Sequence, residues 1–330
     1  MGKIPMSYAG HLSDRVLDLY YGKVEVEGID LQFLPLMPFQ AFNRMMRGEF
    51  DCGEMSFSTY LIQVARGETP FVGIPVFPSR AFRHSAIYVN MDAGIRQPQD
   101  LIGQRVGVPE YHMSAATWVR GMLQHEYGVQ PTEITWVTGG LRDVGRKPII
   151  QNDLPGIRIE HITDRTLDEM LVSGEIAALM APQMPPSYRA GHPKVDRLFP
   201  NYPEVEKAYF QKTGIFPIMH VLVMKRSVYE QHPWAAVSLY QAFMEAKNNC
   251  LETVLHMEEP LPISLPWIYS QGQEVKALMG EDIWPYGVEK NVKVIEALAQ
   301  YQWEQGLVPR KVAIEELFAP NVVKLSENRL

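Results

Sequence analysis

Cysteine is almost missing from this chain: Cys52 and Cys250 are the two in 330 residues. They lie far apart and neither stands in a C-x-x-C or zinc-type spacing, so neither a disulfide framework nor a thiolate metal site is expected. Two free, mostly buried thiols in a reducing compartment are the plain expectation, with a catalytic role for Cys52 the weaker alternative. A basic excess is missing too. Lys and Arg number 31 against 38 Asp and Glu, a formal net charge of -7. Such a chain has no global electrostatic reason to bind nucleic acid or an anionic membrane, so an anionic ligand would need a local cationic cluster. No apolar run approaches the roughly 20 residues of a membrane span. The stretch from Met1 to Gly10 has no signal-peptide core, and a cytoplasmic location is expected. There is no low-complexity tract and no clear internal repeat. The nucleotide-binding glycine motifs, the H-E-x-x-H helix and the G-x-S-x-G elbow are all absent. No cofactor is expected. The histidines and acids could hold a divalent metal, but their spacing gives no metal signature.

What is present is an alternation of extended and helical segments, over a length better served by two lobes than by one core. Val24 to Phe33 reads as a strand interrupted at Gly28, and Phe39, Phe42 and Met46 follow at helical spacing. Phe50–Met55, Phe71–Phe77, His84–Asn90, Arg105–Val108 and Ile215–Met224 look extended. Ser58, Ser114 and Thr166 are candidate helix caps, and Gly67 and Gly128 candidate stops. The end of the chain is helical: Trp234–His256, Lys290–Gln305 and Val312–Phe318. Terminal helices usually pack back on an earlier sheet. The expected architecture is therefore a discontinuous first lobe, residues 1–85 plus 220–330, and an inserted second lobe, residues 86–219. A ligand cleft between the lobes would close like a hinge.

Ligands in open α/β sheets gather beyond the carboxyl ends of strands. That rule selects Asp14 and Arg15, Glu54 and Ser56, Arg80, Arg83 and His84, Tyr111, His112 and Ser114, and His220. The segment Pro78–Ser85 places Arg80, Arg83 and His84 within five positions between apolar runs. Two guanidiniums there suit a dianionic ligand, since each can grip a carboxylate with two parallel hydrogen bonds. The plainer reading is a solvated loop or a structural Arg. Asp14 and Arg15 could simply pair with each other, and Glu54 could belong to an interlobe salt bridge. His112 precedes a helix start, where an anion is favoured. A lone histidine is more often a hydrogen-bonded core residue than a catalyst, so His84, His112 and His220 gain weight only if they converge. The turn Trp284-Pro285-Tyr286-Gly287 could cover an aromatic ligand.

The runs Phe50-Asp51-Cys52-Gly53-Glu54-Met55-Ser56, Phe77-Pro78-Ser79-Arg80-Ala81-Phe82-Arg83-His84, Arg105-Val106-Gly107-Val108-Pro109-Glu110-Tyr111 and Gly214-Ile215-Phe216-Pro217-Ile218-Met219-His220 are specific. With Glu27–Leu31, Arg66–Phe71 and the Trp284 turn, the chain resembles the 4,5-dihydroxyphthalate decarboxylase family over nearly its whole length. The resemblance implies a type II periplasmic-binding-protein-like fold and loss of CO2 from a dihydroxylated aromatic dicarboxylate to give protocatechuate. It carries over no catalytic assignment. The residues proposed for that chemistry are Arg80 and Arg83 as carboxylate clamps, with Arg15 a third candidate. Tyr111, Ser56 and Ser114 join them as binding residues. Glu54 or Asp14 would polarise a phenol, and His84, His112 or His220 would supply the proton. The competing reading is a non-enzymatic solute-binding protein for an aromatic carboxylate. A homo-oligomer is allowed and not required.

Overall fold

The computed structural model describes residues 2–147, 154–256 and 263–327. Among them run eleven strands: Ile4–Gly10 (β1), Ile29–Pro35 (β2), Cys52–Ser56 (β3), Phe71–Arg80 (β4), Ile87–Asn90 (β5), Arg105–Val108 (β6), Thr135–Thr138 (β7), Arg158–His161 (β8), Ala178–Met180 (β9), Val195–Arg197 (β10) and Ile218–Lys225 (β11). They form two sheets, each in its own compact unit. The first unit comprises residues 1–80, 220–295 and 312–330, and the second residues 81–219 and 296–311.

The first unit holds a five-stranded sheet in the order β2-β1-β3-β11-β4. Strand β1 is parallel to β2 and β3, whereas β11 runs antiparallel to β3. Every residue of β3 is buried, as a central strand covered on both faces requires. The helix Pro233–Leu255 sinks Ala235, Leu239, Phe243 and Ala246 into the core. Each such Leu or Phe contributes about 1.5–3 kcal/mol of burial. The extended reading from Val24 is corrected: Val24 and Val26 are buried, but the strand begins at Ile29. Gly28 turns the chain with φ 72°, and the Trp234 ring lies 2.8 Å from where a Cβ would stand. Only glycine meets both demands.

Local capping differs from expectation at two helices. Ser56, not Ser58, caps Phe57–Arg66 by accepting the Thr59 N–H at 3.4 Å. Met113, not Ser114, is the cap residue of Ser114–Tyr127. The Thr166 cap of Leu167–Ser173 and the left-handed glycine stops at Gly67 and Gly128 are found. Pro203 stands in the first turn of the helix Tyr202–Thr213. Proline suits a first helical turn, where its missing N–H has no acceptor anyway. Val312–Phe318 forms only a single turn, Ile314–Glu316. Its backbone is diverted to β4, with Phe318 bridging Gly73 and the Ala319 N–H donating to Gly73 O at 2.9 Å.

The second unit holds a six-stranded sheet, β10-β5-β9-β6-β7-β8, parallel from β9 to β8 and antiparallel at β5 and β10. Tyr88, Val137, Leu141, Leu167, Leu171, Ile176 and Leu179 pack one face. The expected assignment of all residues after 220 to the first lobe fails for 296–311, which belong to the second unit. The reason is side-chain chemistry on the helix Ser114–Tyr127. Arg120 Nε donates to Gln305 Oε1 at 2.9 Å, His125 pairs with Glu304 at 2.6 Å, and Trp118 packs edge-on to Tyr301.

Candidate functional site

In the first unit, register brings Glu54 and His220 together. Strand β11 pairs Leu222 with Glu54 and His220 with Ser56, so these side chains share one face of the sheet. His220 Nδ1 lies 2.5 Å from Glu54 Oε1. The other carboxylate oxygen accepts the His11 backbone N–H at 2.7 Å. Burial alone would push the Glu54 carboxyl up, but the His220 charge and hydrogen bond and the His11 N–H outweigh it, and its pKa is lowered. The His220 side chain is 16% exposed and Glu54 only 2%. The Phe42 ring meets the imidazole edge-on at 4.8 Å. With Nδ1 committed to the carboxylate, Nε2 is the ring nitrogen left for a ligand.

The same unit holds Tyr8, which sequence reading passed over, and the Trp284–Gly287 turn, which it named. Tyr8 lies two residues before Gly10 on β1 and is fully buried. Tyr286 comes from the Trp284–Gly287 turn, which is pinned from several sides. Trp284 Nε1 donates to Phe77 O at 2.8 Å, Gly287 N to Pro75 O at 2.8 Å, and Asn291 Nδ2 to Gly287 O at 2.7 Å. Arg80 donates to Pro285 O at 2.7 Å and to Asn291 Oδ1, and burial pushes its pKa down to about 9. Arg80, expected to grip a carboxylate, thus anchors this turn. Arg15 lies over the Trp284 ring at 3.8 Å and donates to Pro78 O at 3.0 Å. It also pairs with Asp14 at 2.6 Å, the neighbour pairing weighed for these two residues. The strand alternation of Tyr8 and Gly10 was a readable sign of a shared face, and the turn itself had been singled out.

In the second unit, Glu110 follows β6 and is buried. Its carboxylate meets Arg146 Nε at 2.9 Å and His112 Nε2 at 3.0 Å. Burial would raise its pKa, but His112 and Arg146 together lower it. Tyr111 is buried with Arg120 stacked on its ring at 3.6 Å. Ser114 is buried at the helix start. Arg83 and Arg80 fall in different units and have separate partners; Arg83 Nε donates to Met219 Sδ at 3.2 Å, and burial pushes its pKa down to about 10. His84 is enclosed by Phe199 at 5.2 Å, Tyr209 at 5.3 Å and Tyr127 at 6.2 Å. Burial pushes its pKa down to about 4. At neutral pH this imidazole is uncharged, which removes the physical basis for choosing it as proton donor. Glu110, Arg146 and Arg120 were also missed, because nothing in their spacing tells a buried ion pair from a solvated one.

Among the described residues, no three His, Cys, Asp or Glu side chains are gathered as a metal ion would require. The family described as NMT1/THI5 like matches residues 20–158. A curated relative from Comamonas testosteroni, 4,5-dihydroxyphthalate decarboxylase, is 38% identical over 97% of this chain and 98% of its own. A protein of the same name from Pseudomonas putida is 40% identical over 60% of this chain and 78% of its own. Among solved structures, the alkanesulfonate-binding protein SsuA from Xanthomonas axonopodis pv. citri, bound to MOPS, superposes with a TM-score of 0.56 at 13% identity, covering 96% of this chain and 99% of that one. That likeness establishes the periplasmic-binding-protein fold. With a 38% identical relative matched end to end, the chain belongs to the 4,5-dihydroxyphthalate decarboxylase family.

Proposed function

We propose that this protein is a carboxy-lyase that converts 4,5-dihydroxyphthalate to 3,4-dihydroxybenzoate and CO2. The whole-chain likeness to a relative of that name carries the reading, and the Glu54–His220 pair supplies a chemistry that fits it.

Losing CO2 directly from an arene would leave an aryl carbanion. Protonating the ring carbon first avoids it, and the hydroxyl para to the departing carboxylate pushes electron density onto that carbon. The substrate dianion takes up one proton at the carbon bearing the departing carboxylate. The carbon–carboxylate bond then breaks, its electron pair restores the aromatic ring, and CO2 leaves with the product as a monoanion. His220, oriented through Nδ1 by Glu54, donates that proton from Nε2 and recovers it from solvent. The arrangement follows the logic of a carboxylate that fixes an imidazole's tautomer. Arg15 is the clamp for the retained carboxylate: its Nε–H is buried without a hydrogen-bond partner among the described residues. The departing carboxylate must be held more loosely, since tight ground-state binding would oppose its loss. A cytoplasmic site of action is part of this reading, and cell fractionation tests it.

Purified protein mixed with 4,5-dihydroxyphthalate should release CO2 as the ultraviolet spectrum shifts to that of 3,4-dihydroxybenzoate. Binding without product formation would replace this reading with that of a solute-binding protein.

A further inference from the structure

Buried hydroxyl groups almost always have a hydrogen-bond partner, and each exception calls for an explanation. Among the described residues of the first unit the exceptions are Ser13 and two phenols, and the phenols are the more deeply buried. Tyr8 is 0% and Tyr286 2% exposed, and neither Oη has a partner among the described residues. The rings cannot swing out to water. Tyr8 is wedged between Phe33 at 4.7 Å and Phe243 at 5.3 Å, and Tyr286 is fixed by the pinned turn with Lys247 Nζ 5.6 Å from its ring.

Both phenols lie within electrostatic reach of Glu54. Strand register sets Tyr8 opposite Cys52, on the face that carries Glu54 two residues later. Its hydroxyl reaches past Gly10, where any Cβ would collide with it. The next residue, His11, gives the N–H that binds Glu54. The Glu54 carboxylate acts electrostatically on both phenols, and Tyr286 acts on Tyr8.

Three kinds of group could complete such a corner. An anion is disfavoured beside Glu54, whose two oxygens are already engaged by His220 and His11. An apolar group would leave both O–H groups unmet. A neutral hydroxyl both donates and accepts, as each phenol does. We infer that Tyr8 and Tyr286 are specificity-determining residues that recognise the ring hydroxyls of the aromatic ligand. This rests on the decarboxylase reading for the presence of hydroxyls on that ligand.

The test uses the full chain, with Tyr8→Phe and Tyr286→Phe made separately. Each is titrated calorimetrically with 3,4-dihydroxybenzoate and with benzoate, which differ only in the hydroxyls. Wild-type protein should prefer the dihydroxy compound by about 10-fold or more, because a site built to bond a hydroxyl rejects the analogue lacking it. Each variant should lose most of that preference while its affinity for benzoate stays the same. The ligand-free variants should melt at or above the wild-type temperature, since the removed hydroxyl bonds nothing in the free protein. Absence of preference in the wild type, full preference in the variants, equal weakening toward both compounds, or a lowered melting temperature would each overturn the inference. Preference without CO2 release from 4,5-dihydroxyphthalate would uphold it and sink the decarboxylase reading. CO2 release without the preference would do the reverse.

Discussion

Glu54 reaches diagonally across an antiparallel ladder to His220: each residue's direct cross-strand partner is a different one, Leu222 for Glu54 and Ser56 for His220. Diagonal neighbours on one face are within reach of long side chains, so the pair depends on the register of β3 and β11. The strands supplying it are separated by more than 160 residues of sequence.

Glu54→Gln removes the negative charge and keeps an oxygen for the His11 N–H. It is expected to lower kcat by about 10²–10⁴-fold, the usual worth of a positioned acid or base. KM should change much less. Steady-state assay of CO2 release checks this, with circular dichroism to confirm the fold. An unchanged kcat would remove Glu54 from the chemistry.

His84→Leu is expected to change the acid sensitivity of folding and to leave turnover near the wild-type value. The folded imidazole has a pKa of about 4, against an ordinary value of 6.5. The unfolded chain therefore binds the proton first. Stability from this group is complete above pH 6.5 and falls as the pH drops from 6.5 to about 4, by about 3 kcal/mol in all. Urea unfolding across that window should show a shallower pH slope in the variant.

Arg80→Lys tests the anchoring of the Trp284–Gly287 turn. Arg80 Nη2 donates to both Pro285 O and Asn291 Oδ1, and a lysine ends one bond short of that position. Loss of these bonds to a buried cation should cost about 2–4 kcal/mol of stability. The measurement is the urea midpoint, alongside the KM for substrate.

Chelation should leave turnover intact. The buried carboxylates nearest the candidate histidines are already committed, Glu54 to His220 and His11, and Glu110 to Arg146 and His112. Assay after dialysis against a strong chelator decides this, and activity restored only by an added divalent ion would refute it.

The alternation of strands and helices was legible from residue spacing, as were the glycine stops and the Thr166 cap. So was the list of strand-end residues, from which Glu54, His220, Tyr111 and His112 came. Their partners were not legible. Nothing local links Glu54 to His220, and an Arg such as Arg80 reads the same whether it awaits a ligand or holds a turn. Val312–Phe318 carried a helical pattern that lost to pairing with β4, a tertiary contact no window of sequence contains. His84 looked catalytic because titratable residues stood near it in sequence, whereas the rings that enclose it come from positions 127, 199 and 209.

The chain passes between its two units four times, and the second unit is completed only by residues 296–311. During synthesis, the helix Ser114–Tyr127 must therefore wait for nearly two hundred further residues before Gln305 can meet Arg120. Neither unit can mature vectorially behind the ribosome. A nascent chain halted before residue 296 would leave the Arg120 guanidinium with the Tyr111 carbonyl but without the Gln305 acceptor.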